Sequence, residues 1–150
     1  MKVAIGSDHA GFEQKEIIKN HLIKDDVEVY DVGTNDDSSV DYPDYAKKVC
    51  DVVKENSGCF GVLVCGTGIG MSISANKIVG IRAANVKDVN FAKLARQHND
   101  ANVICLSGRF VGLETNLECV DAFISEDFLG DRHQRRIDKI TQLERENLGH

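Results

Sequence analysis

The sequence predicts a three-layer α/β/α sandwich built on a Rossmann-like, five-stranded parallel sheet. Short, continuous apolar runs alternate along the chain with longer segments whose apolar residues recur at helical spacing. Uninterrupted apolar runs are typical of strands that are covered by helices on both faces. The 150 residues contain no internal repeat or low-complexity linker, so we expect one domain over residues 1–150.

The first half of the chain contains two strand–helix units. A strand over residues 2–7 precedes a helix over residues 12–24, in which apolar side chains keep helical spacing. A second strand covers residues 27–32 and is followed by a polar, acidic loop. Pro43 then suits the first turn of a helix over residues 44–56, because its missing amide proton has no helical partner there.

The second half continues the alternation and ends in a charged tail. We expect strands over residues 61–65, 80–84 and 103–107, helices over residues 72–77, 88–97 and 113–124, and a helical tail over residues 131–147.

Glycines occupy alternate positions directly after the third strand, at Gly66, Gly68 and Gly70, with Thr67 and Ile69 between them. Glycine lets an anion approach the backbone amides closely, and the start of the next helix adds a positive dipole end. The spacing fits neither a dinucleotide fingerprint nor a P-loop. The loop is therefore either an anion cradle or a turn that merely lets the strand and helix pack.

Cys65 ends the third strand at the mouth of this loop. Nearby amides and a helix N-terminus favour a thiolate, so Cys65 is a candidate base or nucleophile. The chain has five cysteines, an odd number, without C-x-x-C spacing. This pattern argues against a disulfide framework and a zinc site, and we expect no metal. The alternative for each cysteine is a small buried apolar residue.

Polar residues also follow the first and fifth strands and the fourth helix. Asp8 suits either a helix cap or a carboxylate that orients hydroxyls, with His9 beside it. His98, with Asn99 after it, suits either a dipole-compensating helix end or catalysis. Arg109 follows the fifth strand. Because ligands bind at the carboxyl ends of parallel strands, we expect these residues to share one site with Cys65.

The tail begins with four basic residues, where the helix dipole is already positive. They are Arg132, His133, Arg135 and Arg136. Arg132 and Arg136 lie four apart and share a helix face, so together they suit an anion from this subunit's site or a neighbour's. The alternative is a solvated or partner-binding basic stretch. An apolar stripe of Ile137, Ile140 and Leu143 suits packing of this helix on a partner subunit.

The composition narrows the functional classes. A net charge of −6 argues against nucleic-acid binding. The chain has no Trp and only three Tyr, so it offers few aromatic rings on which a flavin could stack. No stretch has the apolar core of a signal peptide or the length of a membrane span. We therefore expect a cytoplasmic protein with a small anionic ligand, no cofactor and no membrane contact.

Several short motifs, in the same order and over nearly the whole chain, resemble those of type B ribose-5-phosphate isomerases. The wider family includes galactose-6-phosphate and allose-6-phosphate isomerases. The motifs are Gly6-Ser7-Asp8-His9-Ala10-Gly11-Phe12, Asp41-Tyr42-Pro43, Cys65-Gly66-Thr67-Gly68-Ile69-Gly70, Ala75-Asn76-Lys77, Gly80-Ile81-Arg82-Ala83, Arg96-Gln97-His98-Asn99-Asp100, Gly108-Arg109 and Arg132-His133-Gln134.

The resemblance implies metal-free aldose–ketose isomerisation of a sugar phosphate through an enediolate. It implies a homodimer, or a tetramer, with active sites at the subunit interface. Cys65 matches the base that moves a proton between C1 and C2, and the amides from Gly66 to Gly70, including that of Ile69, match the enediolate pocket. His98 matches the residue that helps to open the furanose ring, with Thr67 nearby.

The same resemblance assigns the substrate contacts. Asp8 and Asn99 match residues that hold sugar hydroxyls. Four further residues match those that bind the phosphate: His9, Arg109, Arg132 and Arg136. Of these, Arg132 and Arg136 act across the interface.

One position separates two branches of the family. Some members lack the cysteine and carry a glutamate just after the last loop glycine, where this chain has Met71. The sequence therefore indicates the cysteine branch. Three alternatives stay open: a hexose-6-phosphate isomerase, a non-catalytic subunit of such an enzyme, and a flavodoxin-like carrier. Retention of Cys65, Thr67 and His98 together argues against a non-catalytic subunit.

Overall fold

The computed structural model describes residues 1–149, in which five parallel strands form one sheet with the order β2-β1-β3-β5-β4. The strands are β1 (Lys2–Ser7), β2 (Glu28–Gly33), β3 (Phe60–Cys65), β4 (Ala83–Asn85) and β5 (Val103–Ser107). The helices are α1 (Phe12–Lys24), α2 (Tyr42–Glu55), α3 (Ile69–Ala75), α4 (Val89–Gln97), α5 (Leu113–Ser125) and α6 (Arg132–Glu146).

Two apolar clusters, one on each face of the sheet, form the core. Val62 and Val64 of β3 belong to the cluster that includes buried residues of α1, α4 and α5. Leu63 and Cys65, the alternate residues of the same strand, belong to the cluster with α2 and α3. Because both faces are covered, the central strands are apolar throughout, and the predicted three-layer α/β/α architecture is confirmed.

The strand order creates a crevice beside β1. The chain leaves β1 for β2 on one side and then returns to β3 on the other. Such a change of direction opens a crevice at the carboxyl ends of the two strands. The segments that follow β1 and β3 begin with Asp8 and Gly66, so the fold brings the first motif and the glycine loop to the same place.

Two elements begin three residues away from their predicted start, and the others lie within two residues of the predicted bounds. Helix α3 begins at Ile69, before the expected Ser72, because Gly68 adopts a left-handed conformation and caps the helix inside the glycine loop. Strand β4 covers Ala83–Asn85 and not residues 80–84. The preceding residues form a turn, and the amides of Arg82 and Ala83 donate to the side chains of Asn102 and Asn76.

Helix α6 forms the tail, and most of its residues are exposed. In its apolar stripe, Ile137 is buried, whereas Ile140 is 43% and Leu143 is 60% exposed. Its Glu144 accepts a hydrogen bond from the Gly80 amide at 2.9 Å. Packing of this stripe on a second subunit stays a prediction.

Among residues 1–149, no helix combines the length and the apolar character that crossing a membrane requires.

Candidate active site

The loops that follow β1, β3 and β5 touch through their backbones. A Cβ atom on Gly11 would lie 2.4 Å from the carbonyl oxygen of Val64, and one on Gly108 would lie 3.0 Å from that of Ala10. The Gly108 amide donates to the Cys65 carbonyl at 2.8 Å. Side chains at either glycine would force the loops apart, so these glycines allow the three strand ends to form one site.

Ser107 and Arg109 fasten the β5 loop to the glycine loop. The hydroxyl of Ser107 donates to the Gly66 carbonyl at 2.7 Å and accepts from the Phe110 amide at 2.9 Å. The Arg109 amide donates to the same Gly66 carbonyl at 3.1 Å. The Arg109 guanidinium lies against Gly66, 3.3 Å from the position of an added Cβ.

A hollow of about 400 Å³ opens where these loops meet, and we call it the Cys65 pocket. It brings together residues from the ends of all three strands and the starts of α2 and α3. The lining residues are Asp8, Tyr42, Cys65, Gly66, Thr67, Ile69, Gly70, Ile73 and Arg109. The predicted convergence of Asp8, the glycine loop and Arg109 around Cys65 is therefore observed.

The Cys65 sulfur accepts a hydrogen bond from the Gly68 amide at 3.2 Å. Gly68 has φ +81°, and a Cβ there would lie 2.6 Å from the Asn85 side-chain oxygen, so conformation and space both demand glycine. Thr67 accepts from the Ile69 amide at 3.1 Å through its hydroxyl. The sulfur is therefore held in place inside the glycine loop by a backbone donor.

The other four cysteines are poorer candidates for chemistry. Burial raises the pKa of Cys50 to about 12 and the pKa of Cys119 to about 11. Burial also raises the pKa of Cys59 and places that of Cys105 well above its ordinary value. These thiols stay protonated at neutral pH, as expected for small apolar core residues.

Asp8 is not the cap of α1, because Gly11 takes the N-cap position and no side chain caps it. Asp8 is 6% exposed, and its Oδ1 atom accepts from the Gly11 amide at 3.1 Å, which closes the turn before α1. It also lines the Cys65 pocket. His9 lines a neighbouring hollow of about 630 Å³ with Asp36 and Asp37. Its Nδ1 atom accepts from the Val40 amide at 3.2 Å, so the neutral ring carries its proton on Nε2.

His98 and Asn99 do not line the Cys65 pocket of their own chain, which corrects the expectation of one site within a single chain. Helix α4 runs antiparallel to the strands, so its last residues lie at the amino edge of the sheet, before β5. Asn99 instead lines a hollow of about 630 Å³ with Ile140 and Leu143 of α6.

His98 belongs to a basic group that we call the His98 cluster, formed by His98, Arg132, His133 and Arg136. The rings of His98 and His133 stack with centroids 4.2 Å apart. The Arg136 guanidinium donates to the Arg132 carbonyl at 3.2 Å. Burial, His98 and the two arginine charges together lower the pKa of His133. Like His98, neither arginine lines the Cys65 pocket.

A matching sequence profile covers residues 3–140 and describes the ribose/galactose isomerases. The chain belongs to the ribose/galactose isomerase family. The ribose-5-phosphate isomerase B of Escherichia coli is 46% identical over 143 residues, which cover 95% of this chain and 96% of the relative.

Two solved structures from this family are similar to the chain over almost their whole length. Ribose-5-phosphate isomerase B from Clostridium thermocellum superposes with a TM-score of 0.94 at 46% identity, covering 97% of this chain and 99% of that one. The Mycoplasma genitalium enzyme, solved with bound ribulose-5-phosphate, gives 0.93 at 49% identity and covers 97% of each chain. The structural likeness therefore covers nearly the whole chain.

Three residues around the Cys65 pocket were not among the predicted site residues. The ring of Tyr42 packs on Gly70, where an added Cβ would lie 2.5 Å from a ring carbon. Ile73 lines the pocket one helical turn after Ile69. Ser107 pairs in register with Cys65 across β3 and β5. The sequence could have indicated Tyr42, because it lies at a helix start beside Pro43. Ser107 could be found only once the register of β3 and β5 was known.

The branch residue of the family also has a clear location. Met71 is fully buried in the core cluster between the sheet and α2. Its side chain does not line the Cys65 pocket. Position 71 therefore contributes packing in this chain, and Cys65 supplies the ionisable side chain of the glycine loop.

Proposed function

We propose that this chain interconverts ribose 5-phosphate and ribulose 5-phosphate by proton transfer through an enediolate, with Cys65 as the base. The observation that carries the proposal is the Cys65 sulfur, which accepts the Gly68 amide inside a pocket built from three strand ends. Relatives named ribose-5-phosphate isomerase B, one of them with bound ribulose-5-phosphate, support this choice of substrate.

The reaction moves one carbon-bound proton and one hydroxyl proton. The Cys65 thiolate removes the proton from C2 of the open-chain aldose, and the electron pair forms the enediolate. The thiol then returns a proton to C1, while the hydroxyl proton passes from O2 to O1, where Thr67 lies nearby. Amides of the glycine loop stabilise the enediolate oxygen, and each such donor contributes about 3 kcal/mol.

We infer that the His98 cluster of a second copy completes the site. The cluster lies at the opposite edge of the sheet from the Cys65 pocket, so one chain offers two half-sites. Next to the pocket, Ile69 is 49% and Ile73 is 58% exposed, which suits an apolar contact with another chain. The predicted homodimer, or a tetramer made from it, joins the half-sites.

In this arrangement each predicted residue has a role. His98 helps to open the furanose ring, and Asp8 and Asn99 hold sugar hydroxyls. Guanidinium groups suit phosphate oxygens because they donate in a planar fork. The phosphate therefore lies between His9 and Arg109 of one chain and Arg132 and Arg136 of the other.

An NMR time course with ribose 5-phosphate in D₂O tests the proposed reaction. We expect ribulose 5-phosphate to form and deuterium to enter at the carbon next to the carbonyl, because the base exchanges with solvent. If a folded protein leaves ribose 5-phosphate unchanged but converts allose or galactose 6-phosphate, the hexose alternative is correct. Failure with all three substrates favours a non-catalytic subunit.

Mixing two inactive variants tests the shared site. Cys65→Ala and His98→Ala each damage a different half-site, so a heterodimer keeps one intact site. We expect an equimolar mixture, after subunit exchange, to regain roughly a quarter of the wild-type activity. A mixture that stays inactive although heterodimers form would place both residues in a site from one chain.

We also place the protein in the cytoplasm. Residues 1–149 contain five free cysteines, all of them buried. Thiols in this state suit a reducing compartment. Fluorescence microscopy of a tagged chain in its own cell tests the location.

A further inference from the structure

The side chain of Arg82 holds the turn that follows His98. Its Nε atom donates to the Asn99 carbonyl at 2.9 Å. Its Nη2 atom donates to the Asp100 carbonyl at 2.8 Å and to the Asp100 carboxylate at 3.2 Å. One guanidinium therefore binds two successive carbonyls and a carboxylate, which fixes the path of the backbone as well as one side chain.

Arg96 binds the same carboxylate from the opposite side. Its Nη1 atom donates to Asp100 Oδ1 at 2.8 Å and to the Ala101 carbonyl at 2.9 Å. Arg96 is 7% exposed, and its guanidinium lies 4.6 Å from the centre of the Phe60 ring. The Asp100 carboxylate is thus held between a guanidinium from the segment before β4 and one from α4.

The backbone of Asp100 needs this support. Its φ of +45° lies in the left-handed region, which residues other than glycine seldom occupy. Asp and Asn tolerate that region better than other side chains, because a short polar side chain can form local hydrogen bonds. The left-handed residue redirects the chain directly after His98 and Asn99, so its conformation determines how this turn joins the segment that leads into β5.

We propose that Arg82, Arg96 and Asp100 form a positioning clamp that orients the His98–Asn99 turn for ring opening. The clamp acts through His98 and takes no part in proton transfer at the sulfur. It rests on the proposed function, in which His98 opens the furanose ring. The three residues are positioning residues, because none of them lines the Cys65 pocket.

The two sugars allow ring opening to be separated from proton transfer. Ribose 5-phosphate is a furanose and must open before C2 is accessible to a base. Ribulose 5-phosphate is open-chain, because its C5 oxygen carries the phosphate and cannot close a five-membered ring on C2. Exchange of a C1 proton of ribulose 5-phosphate with D₂O therefore measures the base alone.

Asp100→Ala is the decisive variant. We expect kcat/KM for ribose 5-phosphate to fall about 10- to 100-fold, the range for a slightly misplaced catalytic group. We expect the C1 exchange of ribulose 5-phosphate, measured at saturating sugar, to stay within about threefold of wild type, since the base is untouched and saturation offsets a weaker Asn99 contact. Equal losses in both reactions, or no loss in either, would overturn the proposal.

Conservative variants separate the carboxylate anchor from backbone strain. Asp100→Asn keeps one of the two acceptor oxygens and tolerates the left-handed region, so it should recover part of the activity. Asp100→Gly relieves the backbone strain but has no carboxylate for the two arginines to bind, so its kcat/KM for ribose 5-phosphate should stay low. Full activity in Asp100→Gly would show that backbone conformation alone matters and would overturn the clamp. Asp127→Asn, at an exposed position, is the matched control for loss of charge and should be unchanged.

A second clamp variant covers the case in which Asp100→Ala does not fold. Arg82→Lys keeps the charge but cannot donate to three acceptors in a fork, so the same separation of ring opening from exchange is expected. If wild type catalyses neither reaction, the proposed function fails. The clamp is then judged on amide hydrogen exchange at His98 and Asn99. This exchange should rise at least about tenfold in Arg82→Lys, and unchanged exchange would overturn the clamp.

Discussion

The imidazole rings of His98 and His133 stack face to face, with centroids 4.2 Å apart and planes inclined by 15°. The stack joins the end of α4 to the first turn of α6. It therefore links the proposed ring-opening residue to the helix that carries Arg132 and Arg136. A proton on His133 is therefore repelled by charge on His98, Arg132 and Arg136.

His133 should titrate below its ordinary value of 6.5, because burial and then the His98, Arg132 and Arg136 charges disfavour its protonated form. A lowered histidine pKa means that the unfolded chain binds the proton more readily. The contribution of His133 to the free energy of unfolding is therefore fully present above the pKa of the unfolded chain. It is lost as the pH falls through the pKa of the folded protein. NMR titration of the ring protons checks the midpoint, which should rise in His98→Ala; an identical midpoint in that variant would contradict the coupling.

Thiol alkylation should be selective for Cys65. At neutral to mildly alkaline pH, iodoacetamide should label Cys65 ahead of Cys59, although each residue is 4% exposed. Burial raises the pKa of Cys59, whereas the Cys65 sulfur accepts the Gly68 amide. Peptide mass spectrometry of briefly treated protein measures the two extents, and activity should fall in step with Cys65 labelling. Equal labelling at both positions would remove the chemical distinction between them.

Gly68→Ala should lower both stability and activity. The substitution strains a backbone with φ +81° and places a Cβ 2.6 Å from the Asn85 oxygen and 3.1 Å from the Leu106 carbonyl carbon. We expect a loss of about 2 kcal/mol in the free energy of unfolding, measured in urea.

Gly112→Ala is the matched control for this substitution. An added Cβ there meets nothing within 4 Å, and φ is −64°. We expect its free energy of unfolding to change by no more than about 0.5 kcal/mol. A Gly68→Ala protein as stable as this control would show that the loop is less constrained than its geometry indicates.

The buried Lys15 makes Asp31 important for stability. Lys15 is fully buried, and its ammonium lies 2.8 Å from the Asp31 carboxylate and 2.9 Å from Glu16. Asp31→Asn should cost about 2 kcal/mol, less than a fully buried pair, because Glu16 remains. Asp51→Asn, which breaks the exposed pair with Lys47, is the control and should cost about 0.5 kcal/mol or less. Comparable losses in urea unfolding would contradict the distinction.

The lowered pKa of Asp31 predicts that the protein loses stability in acid. Burial alone would raise the pKa of Asp31, but hydrogen bonds from Lys15, the Gly33 amide and Lys19 outweigh it and lower the pKa below 3.8. A lowered carboxylate pKa stabilises the folded state above the unfolded value, and this contribution is lost as the pH falls through the folded value. Unfolding free energies measured below about pH 5 should therefore decline less steeply in Asp31→Asn than in wild type.

Arg136→Ala should raise KM and leave kcat nearly unchanged, because it removes a phosphate contact that substrate and transition state share. One charge-assisted contact is worth about 1.5 kcal/mol or more, so we expect KM to rise at least about tenfold. Arg135→Ala is the neighbouring exposed control on α6 and should keep its KM. Steady-state kinetics with ribose 5-phosphate decide; an unchanged KM would remove Arg136 from the phosphate site.

Local patterns predicted most of the secondary structure. Strands β1 and β5 were predicted with the bounds that the structure has, because uninterrupted apolar runs reveal strands with two covered faces. Strand β4 was misplaced, since its start depends on side-chain amides of Asn76 and Asn102 that come from elsewhere in the chain. Side-chain bonds of this kind replace part of the strand ladder and leave no periodic signal.

The sequence alone determined the fold class and the family and named candidate residues for the chemistry, because apolar periodicity and short motifs are local properties. Only the tertiary structure decided which of these residues meet. Asp8, Cys65 and Arg109 follow parallel strands and share one edge, whereas His98 ends a helix that returns to the other edge. The direction of each element in space therefore divides one list of residues into two groups at opposite edges of the sheet.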